Sequence, residues 1–278
     1  MSAPLPFVGQ KKRFAREFMN LLENYPDDAV FVDLFGGSGL LSHITRRIKP
    51  DARVIYNDFD GFRRRLVAIP QTNELLADLR AIVAQVPRKK RITGVVRERV
   101  IARLEKAEKE WGYVDYITLS SSLLFSMKYR QSLDGLRKET LYNNTRLEPY
   151  SEARDYLDGI EVVSCDYREL VRRFEGEPGA VFLVDPPYLS TDTSAYMMDS
   201  WKLSDYLDVL TVLQRHPFVY FTSNKSSIIE LCEWMGRNKD LGNPFENCVR
   251  MYVDAHMNYN SRYTDIMLYS PPQAKGRA

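Results

Sequence analysis

An α/β protein with a mostly parallel, doubly wound sheet is what this sequence predicts, and two observations predict it. Short apolar runs rich in β-branched and aromatic residues alternate with helical stretches, the pattern of strands joined by crossover helices. The clusters "DLFGGSG", "YNDFD", "SCDY", "DPPY" and "TSN" all fall at the carboxyl ends of those runs. Open α/β sheets bind their ligands at that end.

The elements come in order. Residues 13–24, "RFAREFMNLLEN", space their apolar side chains as an amphipathic helix does. "AVFVDLF" (29–35) is a buried strand that runs into a glycine turn, and "GLLSHITRRI" (39–48) is the helix after it. "RVIYNDFD" (53–60) is a second strand ending in acid. Residues 71–85 and 95–111 are helical, the latter with Glu105 and Lys109 spaced for an i,i+4 pair. From 111 to 150 the pattern is irregular, polar and tyrosine-bearing, with a turn signal at Asp134-Gly135. "IEVVSCDY" (160–167), "AVFLVDPP" (180–187) and "PFVYFTSN" (217–224) are further strands, and "RYTDIMLYS" (262–270) closes the sheet.

The 278 residues, 44% hydrophobic and 12% aromatic, describe a packed protein rather than a disordered one. No apolar run approaches the ~20 residues that cross a bilayer, and the start lacks the order of a signal peptide. A cytoplasmic protein without a membrane partner is expected. Cys165, Cys232 and Cys248 are widely spaced, and His43, His216 and His256 are isolated, so no metal site is expected. Charge is uneven. Residues 61–155 hold 19 Lys and Arg against 12 Asp and Glu, a net of +7, while the rest of the chain is net −5. A basic insert over 61–155 in a body formed by 1–60 and 156–278 suits a polyanion partner.

"DLFGGSG" makes a tight strand-to-helix turn in which backbone N–H groups can approach a ligand. It lacks the spacing of a phosphate-binding loop and the third glycine of the dinucleotide fingerprint. Asp58 ends the next strand, 25 residues after Asp33, where such folds place a carboxylate for ribose hydroxyls. A nucleoside without a diphosphate fits best, and S-adenosylmethionine is one. Its sulfonium charge would sit among Asp33, Asp58, Asp166 and Asp185.

These blocks, in this order, resemble those of the Dam-type (alpha-class, D12) DNA adenine-N6 methyltransferases of bacteria and phages. "PFVGQKKRF" resembles the N-terminal block, implying that Phe7 and Lys11 contact the cofactor. "VDLFGGSG" resembles the glycine motif, with Asp33, Phe35, Gly36, Gly37, Ser38 and Gly39 around the methyl donor. "YNDFD" puts Asp58 at the ribose-binding acid, and "VSCDYREL" puts Asp166 and Tyr167 where the adenine of the cofactor is held. "DPPY", with Tyr196 eight residues on, matches the catalytic block: Asp185, Pro186, Pro187 and Tyr188. The resemblance implies a Rossmann-like, class I methyltransferase fold with an inserted, mainly helical target-recognition domain. It also implies double-stranded DNA as partner, S-adenosylhomocysteine as product, a monomer or weak dimer on DNA, and room for a cognate restriction endonuclease.

The chemistry of "DPPY" agrees. The two prolines end a strand abruptly, because they donate no backbone hydrogen bond, and leave a rigid ledge. The exocyclic amine of adenine is a poor nucleophile because its lone pair is drawn into the ring. The Asp185 carboxylate and the Pro186 carbonyl can accept from its two N–H groups, and Tyr188 can stack on the base. A base inside a duplex must flip out to arrive there. In the insert, Lys128, Tyr129, Arg130, Arg137, Lys138, Asn143, Asn144 and Arg146 are the candidates for DNA contact. The Phe-Asn-Gly hairpin of relatives that read GATC is absent between 111 and 150, so no target sequence is expected from it. The rival readings are adenine in RNA, the N4 amine of cytosine, and a DNA-binding protein without catalysis.

Overall fold

The structure, a computed structural model, describes residues 1–125, 128–189, 201–238, 241–258 and 261–271. The chain divides into two compact units, one of residues 1–2, 11–60 and 157–278, the other of residues 3–10 and 61–156. In chain order, the first unit begins with α1 (Ala15–Leu22), β1 (Val30–Asp33), α2 (Leu40–Ile48) and β2 (Arg53–Asn57). The second holds α3 (Phe62–Val67), α4 (Ile69–Ile82), α5 (Gly94–Trp111), α6 (Tyr116–Leu123) and α7 (Leu133–Arg137). The first resumes with β3 (Glu161–Val163), α8 (Tyr167–Phe174), β4 (Ala180–Val184), α9 (Leu203–Arg215) and β5 (Phe218–Ser223). It ends with α10 (Ile228–Gly236), β6 (Val249–Asn258) and β7 (Ser261–Tyr269).

The sheet runs β3-β2-β1-β4-β5-β7-β6. The first five strands are parallel; β7 pairs antiparallel with both β5 and β6. Side chains alternate across the pleat and so feed two cores. Phe31, Val54, Val181, Leu183, Val219 and Met267 pack against α1 and α2. Val32, Ile55, Phe182, Val184, Tyr220 and Leu268 pack against α8, α9 and α10. Central strands buried on both faces read as unbroken apolar runs, which is why β4 is apolar throughout. This is a Rossmann-like, doubly wound architecture with an antiparallel strand inserted before its last edge. No helix among the described residues is long and apolar enough to cross a membrane.

Two sequence expectations are corrected. The 262–270 segment does not close the sheet: β7 lies inside it, and β6 is the edge. β6 escaped notice because it is an edge strand with Tyr252 exposed, so it lacks the apolar run of a central strand. The 111–150 stretch is less irregular than its composition suggests. α6, sequence "YITLSSSL", is capped by Asp115, whose side chain accepts from the Thr118 amide. The Ser120 and Ser121 hydroxyls turn inward on carbonyls of the same helix.

The helical unit is held by a buried ion pair. Arg65 is 2% exposed; its Nε donates to both oxygens of Asp115 at 3.0 Å. Its Nη2 donates to the Pro6 carbonyl at 2.7 Å and to the Thr118 hydroxyl at 3.0 Å. Removing one partner of such a pair strands the other charge away from water. Asp115→Ala is therefore expected to cost the helical unit about 3–5 kcal/mol. Urea unfolding followed through Trp111, the only tryptophan of that unit, measures it.

Candidate active site

The order of strands reverses between β1 and β4: the chain steps outward through β2 and β3 on one side and through β5 on the other. A ligand crevice opens at such a reversal. Asp33 ends β1, Asp185 comes directly after β4, Asp58 directly after β2, and Asp166 caps α8 after β3. One sheet end thus collects four carboxylates from four consecutive strand ends.

The turn after β1 demands glycine at three positions. Gly37 and Gly39 have φ of 49° and 66°, in the left-handed region that favours glycine. At Gly36 the obstacle is contact: a Cβ there would lie 2.1 Å from the Tyr56 ring. The Tyr56 hydroxyl lies 2.8 Å from the Gly37 carbonyl and 2.9 Å from Asp58 Oδ1, so it ties the glycine turn to the acid of β2. Asn57 makes a second tie. Its amide donates to the Leu34 and Cys165 carbonyls at 3.0 Å, and its oxygen accepts from the Cys165 amide at 3.1 Å. Sequence reasoning gave Asn57 no role, since both partners come from other strands.

Asp185 is held by Lys11. Their side chains approach to 2.6 Å and are 19% and 8% exposed. Burial pushes the Asp185 carboxyl up, Lys11 pulls it down, and Asp265 pushes it up again. The Lys11 ammonium also lies 5.4 Å from the Tyr188 ring and 5.9 Å from the Phe221 ring. Pro186 and Pro187 are buried, and β4 stops before them. Asp33 is almost completely buried. Its Oδ2 accepts from the Ser42 hydroxyl at 2.7 Å, and the Phe35 amide also acts on the carboxyl.

Beside the acids lies an aromatic wall. Phe35 is 5.1 Å from Tyr167 and 5.3 Å from Trp201, and Tyr167 stacks on Trp201 at 5.6 Å. The Tyr167 hydroxyl donates to the Asp205 carbonyl at 3.2 Å, fixing the ring. Asp166 is bound into its cap: Oδ1 accepts from the Arg168 amide at 2.8 Å. Trp201 was missed in the sequence, where a lone tryptophan before α9 carries no motif signal. Phe7 belongs to the helical unit, edge-on to Phe62. Tyr196 lies outside the described residues.

The insert's candidates have structural partners. Lys128 and Arg130 both pair with Glu139, and Arg137 pairs with Glu105 at 3.0 Å and Asp134 at 3.3 Å. Asn143 is buried and donates to the Val86 carbonyl; Asn144 donates to the Leu124 carbonyl. Their amides serve the local backbone. Arg146 lies over the Tyr150 ring at 4.3 Å, Tyr129 is half-buried, and Lys138 is exposed.

A family model described as D12 class N6 adenine-specific DNA methyltransferase matches residues 7–227. The chain belongs to this family. A Haemophilus influenzae (strain Rd) protein, provisionally named a methyltransferase, is 36% identical over 274 residues, covering 96% of this chain and 91% of its own. Among solved structures, an rRNA methylase from Streptococcus thermophilus aligns over 96% of this chain and all of its own. Its TM-score is 0.36 at 9% identity, a remote likeness.

In this D12 methyltransferase, then, the ledge and the acids belong to an enzyme that moves a methyl group to adenine N6 in DNA. The buried Asp33 gives a pH signature. Burial, with a contribution from Asp185, raises it from 3.8 to about 7 against the pull of Ser42. A folded-state value above the unfolded one means that stability is lost as pH rises from about 4 to about 7. Asp33→Asn removes that titration. Thermal unfolding between pH 5 and 8 should show the wild type falling relative to the variant.

Proposed function

We propose that the protein transfers the methyl group of S-adenosylmethionine to the N6 amine of an adenine flipped out of double-stranded DNA, within a short specific sequence. The observation that carries this reading is the Lys11–Asp185 pair at the sheet's reversal, with the proline ledge and Tyr188 beside it.

The residues present fit a nucleoside methyl donor. Asp58 offers a carboxylate for ribose hydroxyls, and Phe35, Tyr167 and Trp201 offer aromatic faces for its base, with Asp166 beside them. The Gly36–Gly39 turn gives backbone approach, with no room for a Cβ at Gly36 and left-handed φ at Gly37 and Gly39. Asp33 and Asp185, two carboxyls that burial raises, the first with a further push from the second, favour a cation. When bound, the donor supplies an electrophilic methyl group on a sulfonium.

The chain's own residues do the rest. Asp185 and the Pro186 carbonyl accept from the two amine N–H groups, which draws the nitrogen toward a more tetrahedral, nucleophilic form. Lys11 keeps Asp185 anionic in a partly dry site, so that it remains an acceptor. Tyr188 stacks on the flipped base, a contact worth ~1–3 kcal/mol. Positioning and electrostatics suffice, without a covalent enzyme intermediate. The nitrogen becomes cationic on attack and sheds its proton afterwards, so Asp185 need not be a strong base. The helical unit, with its excess of Lys and Arg, holds DNA phosphates while the base is out of the stack.

Two experiments test this. Plasmid DNA from a methylation-deficient host expressing the protein, read by single-molecule sequencing, should carry N6-methyladenine in one motif, and none with Asp185→Ala. Scattered methylation would remove the specific sequence from the reading; unmodified adenine throughout would overturn it. In the second, S-adenosylmethionine should change the emission of the three-tryptophan protein. In Trp201→Phe that change should vanish.

A further inference from the structure

Asp265 lies on β7, the antiparallel strand that enters the sheet next to β5, directly opposite Ser223 in register. This places it at the same end of the sheet as Asp185. Its side chain is 14% exposed. Arg13, from the turn that precedes α1, comes within 3.7 Å of Oδ2. The Tyr188 hydroxyl donates to the same carboxylate. The Lys11 ammonium lies over the Tyr188 ring at 5.4 Å and is itself 2.6 Å from Asp185. Two cations therefore serve two anions here: Lys11 pairs with Asp185, and both Lys11 and Arg13 act on Asp265.

The ring needs such a hold. Pro186 and Pro187 fix the backbone leading to Tyr188, but the ring still swings about its own side-chain torsions. A stacking wall works only when held to within about 0.5 Å and 10–20° of the productive geometry. A tether at the far end of the ring limits that swing, and a strand anchored in the sheet is a stiff place to tie it.

We propose that Asp265 is a positioning residue for methyl transfer: its carboxylate takes the Tyr188 hydroxyl and so fixes the ring beside Asp185, with Arg13 and Lys11 balancing its charge. The proposal rests on Tyr188 being the wall of the base site. Asp265 acts through Tyr188, so its removal should slow turnover without weakening the hold on the methyl donor.

The test is a double-mutant cycle on the full-length protein: Tyr188→Phe, Asp265→Ala, the double variant, and Asp265→Asn. Tyr188→Phe keeps the ring and removes the tether. Each single variant should lose about tenfold in kcat, within what an ångström of misplacement costs, with KM for the donor unchanged. The double variant should be no slower than the slower single, because both remove one interaction. Asp265→Asn keeps an acceptor and should recover most of the rate. Losses that multiply, or a wild-type kcat in Asp265→Ala, would overturn the proposal, as would an equal rise in KM for the donor. If the wild type methylates no adenine, the reading of the site fails on its own account. Thermal unfolding of the same proteins still decides the tether: non-additive losses uphold it and additive losses overturn it.

Discussion

Lys11 and Asp185 meet at 2.6 Å in a place largely removed from water, and much of the site depends on that contact. Taking an ion pair out of solvent costs about as much as the pairing returns, so such a pair is a poor source of stability. What it secures is a charge state. Asp33 is nearby, more deeply buried, and raised to about 7 with Asp185 among the causes. Two carboxylates at a sheet reversal would tend to neutralise each other by holding protons. The ammonium of Lys11 offsets part of this at Asp185, whose carboxyl burial still raises, while Asp33 has no cation of its own among the causes of its shift. The lysine comes from the chain just before α1 rather than from the sheet, so the N-terminal stretch completes a site built by strand ends.

In the helical unit the basic residues divide by burial. Arg65 has lost its water and gained Asp115, Thr118 and Pro6; it cannot be lent to a ligand. Lys128, Arg130 and Arg137 pair with acids nearer the surface, where an ion pair contributes about 0–1 kcal/mol. A phosphate can replace such a partner at little cost. Surface pairing therefore keeps these side chains extended without withdrawing them from service. Asn143 is another matter: its amide carries a backbone connection inside the unit, and base reading by it would undo that connection.

The readable parts of this protein are those whose signal is local. β1, β2, β4 and β5 were legible because central strands are apolar on both faces and stop at polar residues. The four candidate acids were legible for the same reason, since Asp33 ends β1 and Asp58, Asp166 and Asp185 follow shortly after β2, β3 and β4. β6 was not, since an edge strand mixes exposed and packed positions. Nor was α6, whose serines and threonines read as loop until their hydroxyls find carbonyls of the helix. Trp201, Asn57 and Asp265 needed the register between distant strands or the meeting of rings far apart in sequence. The grip of Lys11 on Asp185 spans most of the chain and has no local signature.

The division of the first sixty residues has a consequence for how the protein is made. Residues 3–10 belong with 61–156, while residues 11–60 belong with the sheet. The Pro6 carbonyl leaves the ribosome well before its partner, the Arg65 guanidinium, fifty-nine residues on. Until then the leading segment has nothing to fold against, and β1 and β2 wait longer still for β4. Domains usually fold in the order in which they appear. Here neither unit can finish before its neighbour has begun, so a nascent chain halted at residue 60 would hold a fragment of each and no whole one.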